Sequence, residues 1–151
     1  MPIIVRHAGH GDEAVIVRLV HEMAIEDDEV SPVDEHYVRH FLASPVCGAL
    51  LAWDGDEAAG LLSYCITPGL FHAADSGLIG LLVVTASRRG EGIGRRLVDA
   101  ALRLFEDAGC AEASVSTGEA NDPAHHVYRE AGLTESSLLL EKHFGSGESG
   151  P

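Results

Sequence analysis

The sequence predicts a three-layer α/β (α+β) domain, with helices on both faces of a mixed central sheet of about six to seven strands. Three observations predict it. Apolar periodicity switches along the chain between two residues and about 3.6, so strands and helices alternate. The stretch Leu78-Ile79-Gly80-Leu81-Leu82-Val83-Val84 is apolar throughout, as expected of a central strand buried on both faces. The chain has 151 residues, of which 46% are hydrophobic and 23% charged, which suits one domain with a real core.

The elements follow in order. Ile3-Ile4-Val5 is short, β-branched and apolar, a first strand. Gly11-Asp12-Glu13 opens a helix, with Asp12 as its N-cap and Val15, Ile16, Leu19, Val20 and Met23 on one face. Residues 26–35 form an acidic loop. A second helix follows, burying Val38, Phe41 and Leu42 and ending at Ser44-Pro45. A hairpin comes next: Cys47–Trp53, a turn at Asp54-Gly55-Asp56, and a return strand Ala58–Thr67 broken by Pro68-Gly69. Gly77–Thr85 is the central strand. A helix with the stripe Ile93, Leu97, Ala101, Leu104 and Phe105 stops at Gly109, followed by a strand from Ala111 to Thr117. Asn121-Asp122-Pro123 starts a last helix, which Gly132 ends, and a last strand covers Ser136 to Phe144. Residues 1–144 thus form one domain, and the apolar-free tail 145–151 reads as disordered.

Charge excludes several functions. Twenty-four acids against ten bases leave a formal charge of −14, which argues against a general nucleic-acid binder. No run of about 18 apolar residues exists to cross a membrane as a helix. The start Met-Pro-Ile-Ile-Val-Arg lacks the pattern of a signal peptide, so a cytoplasmic location is expected. Cys47, Cys65 and Cys110 are odd in number and contain no CxxC pair. They read as buried free thiols in a reducing compartment. His36 and His40, four apart on the second helix, could face one metal ion. HExxH is absent and no third ligand is apparent, so no metal is expected.

One region runs against the acidic background. Five of the nine arginines lie between positions 88 and 103, around Gly90, Gly92 and Gly94 at the junction of the central strand and a helix. Glycine lets main-chain N–H groups approach a ligand with no Cβ in the way, and a helix N-terminus adds unpaired donors and partial positive charge. Together they make a pyrophosphate cradle. It is not a Walker A loop, which needs a lysine, and the glycine spacing misses the dinucleotide fingerprint.

Arg89-x-x-Gly92-x-Gly94 after a buried strand resembles the acetyl-CoA pyrophosphate motif of the GCN5-related N-acetyltransferases (GNAT). Asn121-x-x-Ala124-x-x-x-Tyr128-x-x-x-Gly132-Leu133 is similar to a second segment of that family, with Leu133 where a phenylalanine is usual. The resemblance implies a central strand splayed from its neighbour, with the main chain of Leu82, Val83 and Val84 along the pantetheine arm. It also implies a pyrophosphate on Arg89, Gly90, Gly92, Ile93 and Gly94, Asn121 near the pantetheine, and Tyr128 near the thioester sulfur. Acetyl-CoA is the implied co-substrate, and homodimers are common in the family. A glutamate often stands in the middle of that strand in relatives. Gly80 stands here, which leaves the general base open among Glu26, Glu119, a histidine or a water chain.

The implied chemistry has a physical requirement. An alkylammonium of pKa ~10.4 is neutral in about one part in 10³ at pH 7, so the acceptor must lose a proton or have a lowered pKa. In the resembled family the region between the first two helices commonly forms the acceptor site. Glu26, Asp27, Asp28 and Glu29 cluster there and would steer a cationic amine: a polyamine, a diamino acid or an aminoglycoside. A protein N-terminus is the rival acceptor. A non-catalytic acyl-CoA-binding module is the rival from another class, motivated by Gly80.

Overall fold

A computed structural model describes residues 2–117 and 122–145. Its elements are β1 (Ile3–His7), α1 (Glu13–Glu26), α2 (Glu35–Ala43), β2 (Cys47–Asp54), β3 (Glu57–Gly69), β4 (Ala74–Val84), α3 (Ile93–Asp107), β5 (Glu112–Val115) and α4 (Asp122–Glu130). The sheet runs in chain order, β1-β2-β3-β4-β5. Its first three pairings are antiparallel, and β4–β5 is parallel, with α3 making the crossover that a parallel pair requires.

Alternation along the strands builds two cores. One face sends Leu50, Ala52, Leu62 and Ile79 against Ile93, Leu97, Val98, Ala101 and Phe105 of α3 and Tyr128 of α4. The other sends Leu51, Trp53, Leu61 and Val83 against Ile16 and Leu19 of α1 and Val38 of α2. Helices therefore cover both faces, as the patterning predicts.

Three details differ from the sequence reading. The described residues hold five strands, fewer than the six to seven expected, and the expected strand Ser136–Phe144 is not among them. Its Leu138, Leu140 and Phe144 are 84%, 83% and 86% exposed. Apolar composition confers strand character only where a neighbour supplies ladder bonds and a surface to pack on, and among the described residues this stretch has no strand partner. Pro68-Gly69 does not break β3, because these residues still pair with Asp75 and Ala74 at the strand's end. Asp12 occupies the N-cap position, but its carboxylate accepts the Gly9 N–H at 2.8 Å and makes no capping bond to the helix. The tail beyond Gly145 lies outside the described residues.

Candidate functional site

The site begins where two strands part. β5 pairs with β4 from Ser76↔Glu112 to Ile79↔Val115 and then ends, while β4 continues to Val84. Beyond Ile79, β4 is held by β3 on one side, and among the described residues no strand pairs with the other. The central strand thus opens a wedge.

Main-chain alternation decides what faces that wedge. Thr85 N–H donates to Ala59 O at 2.9 Å, so the 59/85 pair is hydrogen-bonded. Two residues earlier, Val83 faces Leu61 in the same way, and the pairs Leu82↔Leu62 and Val84↔Gly60 are of the non-bonded kind. The N–H and C=O groups of Leu82 and Val84 therefore point away from β3, toward the opening. Val83 ties its own to β3 and contributes a buried side chain to the α1/α2 core.

A bulge sets the bend of β4. Leu62 pairs with Leu82 and Tyr64 with Ile79, so Ser63 alone faces both Gly80 and Leu81. Leu81 N–H donates to Ser63 Oγ at 2.9 Å, and a Cβ on residue 80 would stand 2.8 Å from that same oxygen. Gly80 is therefore the partner of Ser63: the hydroxyl occupies the space that a side chain at 80 would need. Sequence reading saw Gly80 as a missing acid and did not see Ser63, because the bulge that brings them together is a matter of register. Ser63→Ala is expected to cost about 1 kcal/mol in urea unfolding, by leaving the Leu81 N–H without its acceptor.

The glycine-rich segment folds as a donor-lined turn. Gly90 and Gly92 have φ of +82° and +83°. Gly92 is the N-cap of α3 and no side chain caps that end, so the N–H groups of Ile93, Gly94 and Arg95 have no acceptor within the helix. Arg88 is committed to the fold, with ion pairs to Asp54 at 2.9 Å, Glu57 at 3.2 Å and Glu91 at 3.0 Å. Arg89 is placed differently. Its Nε donates to Val84 O at 3.1 Å and its Nη2 to Glu26 Oε1 at 2.5 Å. Two residues assigned separately by sequence, one to a phosphate and one to an amine, thus meet at the mouth of the wedge. The Arg89 hydrogen bond holds the Glu26 carboxyl below its ordinary range. Asp27, the C-cap of α1, follows directly. Glu22, one turn before Glu26, accepts from Thr85 Oγ1 at 2.7 Å and from Arg18 at 2.8 Å, tying α1 to the end of β4.

Tyr128 is buried, 6% exposed, in the α3-side cluster that also holds Ile79, where the wedge starts, and Ile93, where α3 starts. Burial pushes its phenol above the ordinary tyrosine range. Asn121 and Glu119 lie outside the described residues. His36 and His40 are on α2; among the described residues no three ligand-type side chains gather as a metal site would need.

A family model described as the acetyltransferase (GNAT) family matches residues 16–133. The chain is 35% identical over 102 residues to a mycothiol acetyltransferase of Streptosporangium roseum, covering 65% of this chain and 29% of that protein. It therefore spans under a third of that relative's length. Among solved structures, a transcriptional regulator from Bacillus halodurans C-125 superposes with a TM-score of 0.84 at 24% identity, covering 95% of this chain and 100% of the other. An aminoglycoside acetyltransferase from an uncultured soil metagenomic sample superposes with a TM-score of 0.82 at 22% identity, covering 96% and 100%. At these identities the superpositions establish the fold.

Proposed function

From membership of the acetyltransferase (GNAT) family, to which this chain belongs, we propose that the protein moves an acetyl group from acetyl-CoA to the primary amine of a small cationic acceptor. The observation that carries the reading is the wedge between β4 and β5 beside an uncapped helix start. An elongated thioester with a diphosphate at one end suits such a place. The diphosphate takes the N–H groups of Gly92, Ile93 and Gly94 and the charge of Arg89. The pantetheine arm pairs with the outward main chain of Leu82 and Val84, and the N–H groups there polarise the thioester carbonyl. Tyr128, protonated at neutral pH, donates a hydrogen bond to the departing sulfur. Asn121 flanks the arm in this reading.

The acceptor side rests on Glu26 and Asp27. A diphosphate at Arg89 competes with Glu26 for the guanidinium, so donor binding frees a carboxylate for an ammonium group. Gly80 provides no base at mid-strand, so the amine proton leaves by another route: Glu26, Glu119, a histidine or a water chain. The fold of an aminoglycoside acetyltransferase, shared at 22% identity, is compatible with an acceptor of this class.

The test is a panel of polyamines, diamino acids, aminoglycosides, neutral amines and N-terminal peptides, each with acetyl-CoA, followed by free-thiol release. Multiply charged small amines are expected to turn over best, with Glu26→Gln raising their KM about tenfold, or ~1.4 kcal/mol. Preference for neutral amines, or indifference to Glu26→Gln and Asp27→Asn, overturns the acceptor class. Turnover confined to peptides favours a protein N-terminus as acceptor. Tight acetyl-CoA binding with no turnover of any amine favours a binding module.

A further inference from the structure

Away from the wedge, two cysteines eighteen positions apart stand face to face. Cys47 and Cys65 are direct partners across β2 and β3, and their Sγ atoms are 3.3 Å apart. Both are free thiols and both are half-buried. The neighbouring pair is hydrogen-bonded through Ile66 N–H to Val46 O at 2.8 Å, which makes Cys47/Cys65 a non-hydrogen-bonded pair. In such pairs the Cα atoms stand about 4.5 Å apart and side chains come closest, within the 4.4–6.8 Å that a disulfide spans. At that spacing a disulfide can close across the pair.

We propose that Cys47 and Cys65 form a redox modification site, a cross-strand dithiol that a low-molecular-weight disulfide oxidises to an intramolecular bond. The position is open to such a reagent. Cys47 is the first residue of β2, immediately after the turn that leaves α2, and Leu78, which pairs with Cys65 on its other side, is 46% exposed. The two thiols have different roles. Cys47 stands at the open end of β2, so the first attack falls to it, while burial, with the adjacent Cys47 sulfur, pushes the Cys65 thiol up.

The exchange balances in two steps. The Cys47 thiolate attacks one sulfur of RS–SR, forming Cys47–S–SR and releasing RS⁻. That thiolate takes the Cys65 proton and leaves as RSH, and Cys65 sulfur attacks Cys47 sulfur, expelling the second RS⁻, which is protonated by solvent. Two protein thiols are oxidised by two electrons, and one external disulfide is reduced to two thiols. A resolving thiol 3.3 Å away keeps the mixed disulfide from accumulating.

The experiment uses the folded full chain and oxidised glutathione as the probe. Intact mass is expected to fall by two hydrogens, and alkylatable thiols from three to one, with Cys110 the one that stays free. A peptide map should join the segments of Cys47 and Cys65, and excess reduced thiol should restore all three. Cys65→Ser should instead hold a stable glutathione adduct at Cys47. The inference is overturned if the unmodified sequence accumulates the adduct as Cys65→Ser does, if the linkage involves Cys110, or if no thiols are lost. The native-sequence mass and peptide map decide the matter even if the variant fails to fold.

Discussion

Gly92→Val is expected to abolish acetyl-CoA binding, lowering affinity by at least about 100-fold, or ~2.7 kcal/mol. Residue 92 has φ +83°, a left-handed conformation that costs an ordinary residue about 1–2 kcal/mol and a β-branched one more. Apart from its chain neighbours, nothing lies within 4 Å of a Cβ built there, so the variant is not blocked by packing. Its backbone relaxes toward negative φ, and that rotation swings the N–H groups of Ile93 and Gly94 away from their common focus. Gly109 supplies the control. It sits just past the other end of α3 with φ +82° and equally open surroundings. Gly109→Val carries similar backbone strain and is expected to lose similar stability, yet to bind acetyl-CoA as before. Calorimetry and thermal protection with acetyl-CoA and coenzyme A measure both. Unchanged affinity in Gly92→Val, or equal loss in both variants, removes the turn from the donor site.

The contrast between these two glycines and the rest of the site marks what a single sequence makes legible. The turn at 90–94 could be read because its demand is local: a strand ends, a helix starts, and glycines stand where left-handed backbone is needed. The layered fold could be read because burial imposes period two on half-buried strands and about 3.6 on helices. Pairings across the sheet could not. Cys47 with Cys65 depends on register, and Ser63 with Gly80 on a bulge as well; a one-residue slip would send every side chain of a strand to the opposite face. Ser136–Phe144 shows the converse failure. Its leucines have strand composition, but ladder bonds belong to pairs of strands, and among the described residues no neighbour takes this one. Glu26 and Arg89 stand out in the sequence only as charges, and their meeting at the end of β4 depends on where α1 lies on the sheet.

Gly77→Ala is expected to destabilise the protein by about 3 kcal/mol, a large loss for one added methyl group. Gly77 lies inside β4, paired with Ile66 of β3 and Ala113 of β5, so the strand has no free side toward which to shift. A Cβ there would stand 2.3 Å from Phe105 Cγ and 2.4 Å from Cδ2, and the ring would have to move. It has little room to do so. Phe105 is 2% exposed and packs edge-on against Tyr64, with centroids 5.8 Å apart. Tyr64 is itself held over Gly48, where a Cβ would come 2.3 Å from its hydroxyl oxygen, and its hydroxyl lies 3.3 Å from His7 Nε2. Two glycines thus make room for two aromatics packed edge to face, and the ring of Phe105 seats α3 against β4. Phe105→Ala alone should cost about 3–5 kcal/mol. Because the steric conflict needs the ring, Gly77→Ala in the Phe105→Ala background should cost almost nothing, giving a coupling of about 2–3 kcal/mol. Urea unfolding of the four proteins measures it. Simple additivity would show that Gly77 is required for some reason other than the ring that lies over it.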